Sequence, residues 1–454
     1  HKRYQDVADA VKSYSENELL VNKHVGLAES LVPIRSGALF KVAEKAMADK
    51  KFDEAAGRYI ALVDENPKFE FADSALNNAA VCFEKDKRYD SASKMYQRIF
   101  DAYPKSALAD TALFRVAVNA ERFFDFDKAI TTYRRLVKEY PKSPNRADAL
   151  YNVAFALENT QQYERAAKEY LRYCDLFPDR DDAPEVCFNA GLVYEKMGDQ
   201  RRMMKAMGDF IKKYSKNELH RDRVLDAHMR RAKVFEKSKK RKTRKLATKL
   251  YELIVDEYTK APGMKSAPYA AEADFQLIQP KFDSYRKIQF VGSSKKQQEA
   301  LKAKFETLKE VEKEYSRMLG YKQADWSLAS LYRIGMLYYE AVKTMLNSEC
   351  PPDVRKQAAS LGLLEEEICD EYKIALEEKA YNIEDKAVQA FEFVINKARE
   401  FQIVNQWTQQ TLERLNELRK AEWPLQKAAK RFIATEAFIR PTLLSTTGDV
   451  LKAP

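Results

Sequence analysis

Residues 89–104 read YDSASKMYQRIFDAYP and residues 126–141 read FDKAITTYRRLVKEYP. Both open on an aromatic and Asp, carry Ala and then Tyr at matching offsets, and close on Pro. They lie 37 residues apart, and the same columns continue on either side: Pro67, Pro104, Pro141 and Pro178; Phe52, Tyr89, Phe126 and Tyr163; Ala55, Ala92, Ala129 and Ala166; Tyr59, Tyr96, Tyr133 and Tyr170. Two more columns precede each stretch, Ala43, Ala80, Ala117, Ala154 and Gly191, and Leu39, Leu76, Leu113, Leu150 and Cys187. A fixed period of this size is the signature of a repeat array.

Each unit reads as two helices. Leu76, Ala79, Ala80 and Phe83 recur at helical spacing, Lys87 and Arg88 make a polar turn, Tyr89, Ala92, Tyr96 and Ile99 recur on a second helix, and Pro104 stops it. Ala80 and Ala92 let the paired helices approach closely. No single pair can bury this surface, so pairs must stack. The composition agrees: 12 Gly and 15 Pro in 454 residues are too few for a sheet with many turns. The expected fold is all-α, an α-solenoid whose C-terminal half is irregular and decorated.

The residues of these columns resemble the tetratricopeptide repeat. The small residue, the aromatic-Asp turn (Phe52-Asp53, Tyr89-Asp90, Phe126-Asp127), the alanine, the aromatic and the terminal proline fall at that family's internal offsets. The period is longer than the family's usual 34, with the extra residues in loops such as Tyr103-Pro104-Lys105-Ser106-Ala107-Leu108-Ala109-Asp110. That loop style is similar to bacterial cell-envelope members, the TolA-binding and outer-membrane-assembly repeat proteins. The C-terminal half is similar to large repeat proteins of gliding and predatory bacteria. The organisation read from the chain is a helical segment over 1–35, five regular units over 36–215, a basic sixth unit over 216–262, a degenerate region over 263–424, and a helix and tail over 425–454. Within the degenerate region, Trp326, Leu331, Gly335 and Tyr338 read as a first helix, and Ala387, Phe391 and Val394 as its second. The insertion between them contains Pro351-Pro352 and Glu365-Glu366-Glu367.

Several chemistries lack their residues. No GxGxxG or GxxxxGK[ST] loop exists to cradle a phosphate. His1, His24, His220 and His228 sit in no HExxH or Cys-His cluster; His220 and His228 could share a helix face, but a two-His site lacks its remaining ligands. No cofactor, metal or turnover is expected, and no apolar run is long enough to span a membrane. A chain that opens on His1 reads as lacking an N-terminal piece, a leader or another domain. Cys174 could meet Cys187 across adjacent helices and Cys350 could meet Cys369 around a loop, but small buried thiols are the favoured reading, with Cys82 the odd one.

In tetratricopeptide arrays the first helix of each pair lines the concave face, so first-helix positions can be read as rows. One row is Phe40, Asn77, Phe114, Tyr151 and Phe188; the next is Glu44, Val81, Val118, Phe155 and Leu192; a third, Met47, Glu84, Glu121, Glu158 and Glu195, runs acidic. Family members that grip a terminal carboxylate place Lys, Arg and Asn in these rows, and this chain largely does not. The expected partner is therefore an extended or helical protein segment with apolar anchors, its charge selected by the glutamates. The competing reading packs these side chains against neighbouring turns.

Between Leu219 and Lys260 stand 14 Lys plus Arg against 6 Asp plus Glu, centred on Lys237, Lys239, Lys240, Arg241, Lys242, Arg244 and Lys245. Such a cluster suits an anionic membrane surface or an acidic partner, against the favoured reading of a merely solvated turn between two helices. It lacks the aromatic residues that would stack nucleic-acid bases, so no nucleic acid is expected. The whole reads as a non-catalytic scaffold of a periplasmic cell-envelope complex. Its rivals are a cytoplasmic adaptor that recruits a regulator through the same groove, and an enzyme with a site in the irregular half.

Overall fold

The computed structural model describes residues 2–24 and 26–424. Twenty α-helices and no strand occur among them. They divide into two compact units, His1–Ser238 and Lys239–Pro454. The C-terminal helix expected over 425–454 lies outside the described residues.

The first unit opens with α1 (Lys2–Ser15) and α2 (Glu18–Lys23) and continues with the helix pairs α3 (Leu27–Ala48) with α4 (Phe52–Glu65), α5 (Ala72–Lys85) with α6 (Tyr89–Ala102), α7 (Ala109–Arg122) with α8 (Phe126–Glu139), α9 (Arg146–Asn159) with α10 (Tyr163–Leu176), and α11 (Ala183–Lys196) with α12 (Gln200–Tyr214). It ends with α13 (Arg221–Glu236). From α3 to α13 each helix packs on its neighbours in sequence, and α1 lies on α3, burying Ala8 and Val11. The first helix of the first pair therefore begins well before residue 36.

The spacing has a local cause at each end of the second helices. Each such helix of the first four pairs stops two residues before its proline, whose ring forbids helical geometry to the residue ahead of it. All five second helices are entered through a left-handed residue, in turn Lys50, Lys87, Phe124, Gln161 and Gly198, again one per 37 residues. The following amide reaches back over that turn, as in Lys51 N–H to Ala46 O at 2.9 Å and Asp125 N–H to Ala120 O at 2.9 Å, closing the C-terminus of the first helix.

Packing follows the columns. Tyr59, Tyr96, Tyr133 and Tyr170 are buried, as are Ala55, Ala92, Ala129 and Ala166. Successive pairs are also stitched at the loops: the Tyr103 hydroxyl donates to Pro67 O at 2.7 Å, and exposed pairs such as Arg98–Asp64 and Arg223–Glu185, both 2.6 Å, bridge one unit to the next. Exposed pairs of this kind add little to stability, so the burial of the aromatic and alanine columns holds the stack.

The second unit contains α14 (Arg241–Lys260), α15 (Ala267–Arg286), α16 (Ser294–Arg317), α17 (Ala324–Leu346), α18 (Pro352–Leu361), α19 (Glu365–Phe401) and α20 (Gln406–Leu418). The boundary between units thus falls between α13 and α14, inside the expected sixth pair. The pairing of α17 with α19 across the insertion is present: Gly335 lies directly under the Phe391 ring, where an added Cβ would come within 2.5 Å of it. The insertion is α18 and its flanks. Glu365, Glu366 and Glu367 form the first turn of α19, where carboxylates complement the helix dipole, and Glu367 accepts from the Leu364 N–H at 2.8 Å.

The favoured reading of the cysteines is overturned: disulfides join Cys174 to Cys187, between α10 and α11, and Cys350 to Cys369, between the end of α17 and the start of α19. Adjacent helices bring Cys174 and Cys187 together, and the connection after α17 brings Cys350 to the first turns of α19, which spacing alone left open. Cys82 is free and buried, and burial pushes its thiol up to about 11. His220 and His228 share no helix face, because His220 ends a short 3-10 turn ahead of α13, its ring edge-on to Tyr214 at 5.4 Å.

Candidate functional site

The first-helix rows are built on the buried tyrosine column. Phe40 packs on Tyr59 at 5.2 Å between ring centres, Phe114 on Tyr133 at 5.4 Å, Tyr151 on Tyr170 at 6.0 Å, and Phe188 on Phe210 at 5.3 Å. Each first-row aromatic is therefore fixed by the second helix of its own pair. Phe40, Asn77, Phe114 and Tyr151 are half-buried, as are Val81, Val118 and Leu192, while Phe155 is 45% exposed. Tyr151 and Phe155, one turn apart on α9, lie parallel at 6.1 Å. They form an aromatic step open to a partner.

One expectation is corrected. Phe188 is wholly buried, because α13 lays the Arg223 and Arg230 guanidinium groups over its ring at 5.1 and 5.8 Å, so it offers no anchor. No ring contact joins Phe114 to Tyr151 among the described residues, so the row is a series of separate anchors.

The acidic row is also engaged internally. Tyr133 donates its hydroxyl to Glu121 at 3.1 Å and Tyr170 to Glu158 at 3.0 Å, while Glu84 lies beside the Tyr96 phenol. Burial raises all three phenols well above their ordinary range, and it raises the Glu121 carboxyl too. Glu158 further pairs with Lys196, and Glu195 with Arg230. These carboxylates satisfy buried hydroxyls and bridge successive units. Glu44, the one carboxylate of the neighbouring row, stands exposed and pairs with Lys41 at 2.7 Å.

All seven cations of the basic cluster are exposed. Lys237 caps the end of α13, Lys239 and Lys240 lie in the connection, and Arg241, Lys242, Arg244 and Lys245 occupy the start of α14, whose first turn carries no carboxylate. Cations at a helix N-terminus oppose its dipole. The Arg244 guanidinium donates to Lys239 O at 3.0 Å.

Sequence reasoning passed over Phe69 and Phe71. They stand in the α4–α5 connection, where the next two connections carry Ser106 with Leu108 and Ser143 with Asn145. With Phe40 they wall a cavity of about 660 Å³ whose rim includes Lys41, Lys68 and Glu70. The signal was available as a departure from the repeat in a loop, but columns chosen for regularity hide departures.

No group of side chains suited to a metal ion occurs among the described residues, and none of their helices is long and apolar enough to cross a membrane. In comparisons with known proteins, one family model of the tetratricopeptide repeat matches residues 43–107 and 112–181, and a second matches 186–217. Among solved structures, MamA is 16% identical, with 38% of this chain and 95% of that one covered at a TM-score of 0.30. YrrB, described as a TPR protein with an unusual peptide-binding site, is 14% identical, covering 41% of this chain and 91% of its own at 0.29. BtubC from P. vanneervenii is 13% identical, covering 47% and 91% at 0.30. No curated protein sequence matches the chain.

Proposed function

The regular units of this chain are tetratricopeptide repeats, a protein–protein interaction scaffold, and from that premise we propose that it holds partner segments on its first-helix face as a non-catalytic member of a bacterial cell-envelope complex. The observation that carries the binding reading is the Tyr151–Phe155 step: two parallel rings, Tyr151 packed on the buried Tyr170 and Phe155 nearly half exposed. Rigid aromatic anchors give large contact area at low entropic cost. Phe114 and Phe40 repeat the packing on a buried tyrosine in earlier pairs, with Val118 and Glu44 one turn on, which suits a segment running along the stack. The compartment reading rests on the envelope-type loops and is supported by the two disulfides, which persist where the surroundings are oxidising.

Tyr151→Ala with Phe155→Ala should weaken capture of the native partner by about thirtyfold while leaving helicity unchanged. Wild-type capture by this variant would move the binding face elsewhere, and recovery of the native chain in a cytosolic fraction would sink the envelope assignment.

A further inference from the structure

The connection between α4 and α5 differs in kind from those that follow it. After Pro104, Ser106 donates its hydroxyl to Asp73 at 2.5 Å and accepts the Leu108 N–H at 3.0 Å; after Pro141, Ser143 accepts the Asn145 N–H at 3.0 Å. Those loops close on their own hydrogen bonds. After Pro67 the same positions hold Phe69 and Phe71, 5.6 Å apart, each about 6 Å from Phe40 (6.2 and 6.3 Å), and Phe71 is 49% exposed. Setting two phenylalanines in a surface loop gives up the serine side-chain bonds, while the backbone turn from Phe69 N–H to Asn66 O at 3.1 Å is kept, and it leaves apolar area in water. What it gains is the 660 Å³ cavity.

A second cavity, of about 350 Å³, adjoins the first at Phe69 and Glu70 and extends along the next loop past Tyr103 to Lys105. The two therefore follow the loop edge from one unit to the next. Along that edge Pro67, Pro104 and Pro141 are each followed by lysine, Lys68, Lys105 and Lys142; after Pro178 the sign reverses to Asp179. All three lysines are exposed, and no ion pair engages them among the described residues. The carboxylates at hand are mostly committed: Glu44 to Lys41, and Asp73 to Ser106 and Ser74, leaving Glu70 on the rim.

We propose that this loop edge is a second binding site, for an extended acidic protein segment that seats one aromatic or branched apolar side chain among Phe40, Phe69 and Phe71 and lays carboxylates over Lys68, Lys105 and Lys142. Three rings around one cavity select an apolar side chain, and a row of unpaired cations spaced one repeat apart selects negative charge spread along a chain. A small anion would leave the rings unused. A nucleic-acid strand carries a phosphate at every nucleotide and would set one against Glu70, whereas a peptide can place a neutral residue there, so a peptide fits better. The site does not depend on the Tyr151–Phe155 step.

The test uses the full chain and a short fluorescein-labelled peptide of alternating Asp and Ser with a central Trp, followed by anisotropy. Matched probes carry Ala for Trp, Lys for Asp, or are replaced by a labelled oligothymidine. The acidic Trp peptide should bind most tightly. Phe71→Ser should weaken it about tenfold, and Lys105→Glu with Lys142→Glu should weaken it and flatten its salt dependence, with circular dichroism unchanged. Tyr151→Ala with Phe155→Ala should leave this peptide's binding intact, which separates the site from the first-helix face. Absence of binding, equal binding of the lysine peptide, indifference to Phe71→Ser, or tighter binding of the oligothymidine would each overturn the proposal.

Discussion

At the scale of single residues, the turn positions show how the repeat tolerates cost. Phe124 holds a left-handed conformation (φ 58°) that Gly198 adopts without strain at the same place in a later unit, and its ring is 77% exposed. Phe124→Gly should therefore raise the melting temperature, by roughly 1 kcal/mol of stability, since relief of the left-handed strain exceeds the added freedom of the unfolded chain. A lowered melting temperature would mean that the 6.3 Å contact of Phe124 with Phe126 matters more than the backbone. Two helical glycines separate a soft contact from a hard one. A Cβ at Gly191 would meet the Cε, Sδ and Cγ of Met207, a buried but flexible side chain with three rotatable bonds to adjust, and alanines already fill that column in earlier units. At Gly335 it would meet the Phe391 ring, buried between helices. Gly191→Ala should be neutral or stabilise by up to about 1 kcal/mol through helix propensity, whereas Gly335→Ala should destabilise by about 1–3 kcal/mol through overpacking. Equal shifts in denaturant midpoint would contradict this distinction.

At the scale of the element, α16 carries the most unusual charge in the described chain. Lys304 is fully buried, donating to Ile288 O at 3.0 Å and to the Thr344 hydroxyl at 2.6 Å, its ammonium 4.7 Å from the centre of the Tyr285 ring. Burial lowers it to about 8; Glu340 works against that shift and Arg286 adds to it. The folded-state value lies below the unfolded one, near 10.4, so the unfolded chain binds the extra proton between the two. The cost of burying the charge is thus complete below pH 8 and is relieved as pH climbs toward 10. Lys304→Met removes the group, and its stability relative to wild type should fall by up to about 3 kcal/mol between pH 8 and 10. A difference in urea midpoints that stays flat across that range would show that Lys304 does not titrate there.

At the scale of the whole molecule, the cysteines give a direct count. Without reductant the native chain should show no reactive thiol, because Cys82 is buried and its thiol is raised; denaturation should expose that one, and reduction all five. Five thiols in denaturant from oxidised preparations would exclude both disulfides. The helix pairs of the first unit were legible in the sequence because each uses contacts local to 37 residues, repeated until the columns stand out. The pairing of α17 with α19 was legible too, since Gly335 and Phe391 preserve the small-against-aromatic contact across an insertion. The binding face was only half legible. Periodicity identifies which positions lie on the first-helix face, but exposure there depends on what the next helix brings: Arg223 and Arg230 cover Phe188, whereas Phe155 stays 45% exposed among the described residues. The glutamate row reads as a charged surface and instead accepts from buried tyrosines, because a hydroxyl closed off from water must find an acceptor. The sequence by itself thus determined the repeat, the helices and their order, all set by short-range sterics and apolar spacing. Only the tertiary structure decided which aromatics remain open, which carboxylates are spent and which cysteines meet, because each depends on neighbours brought alongside by stacking.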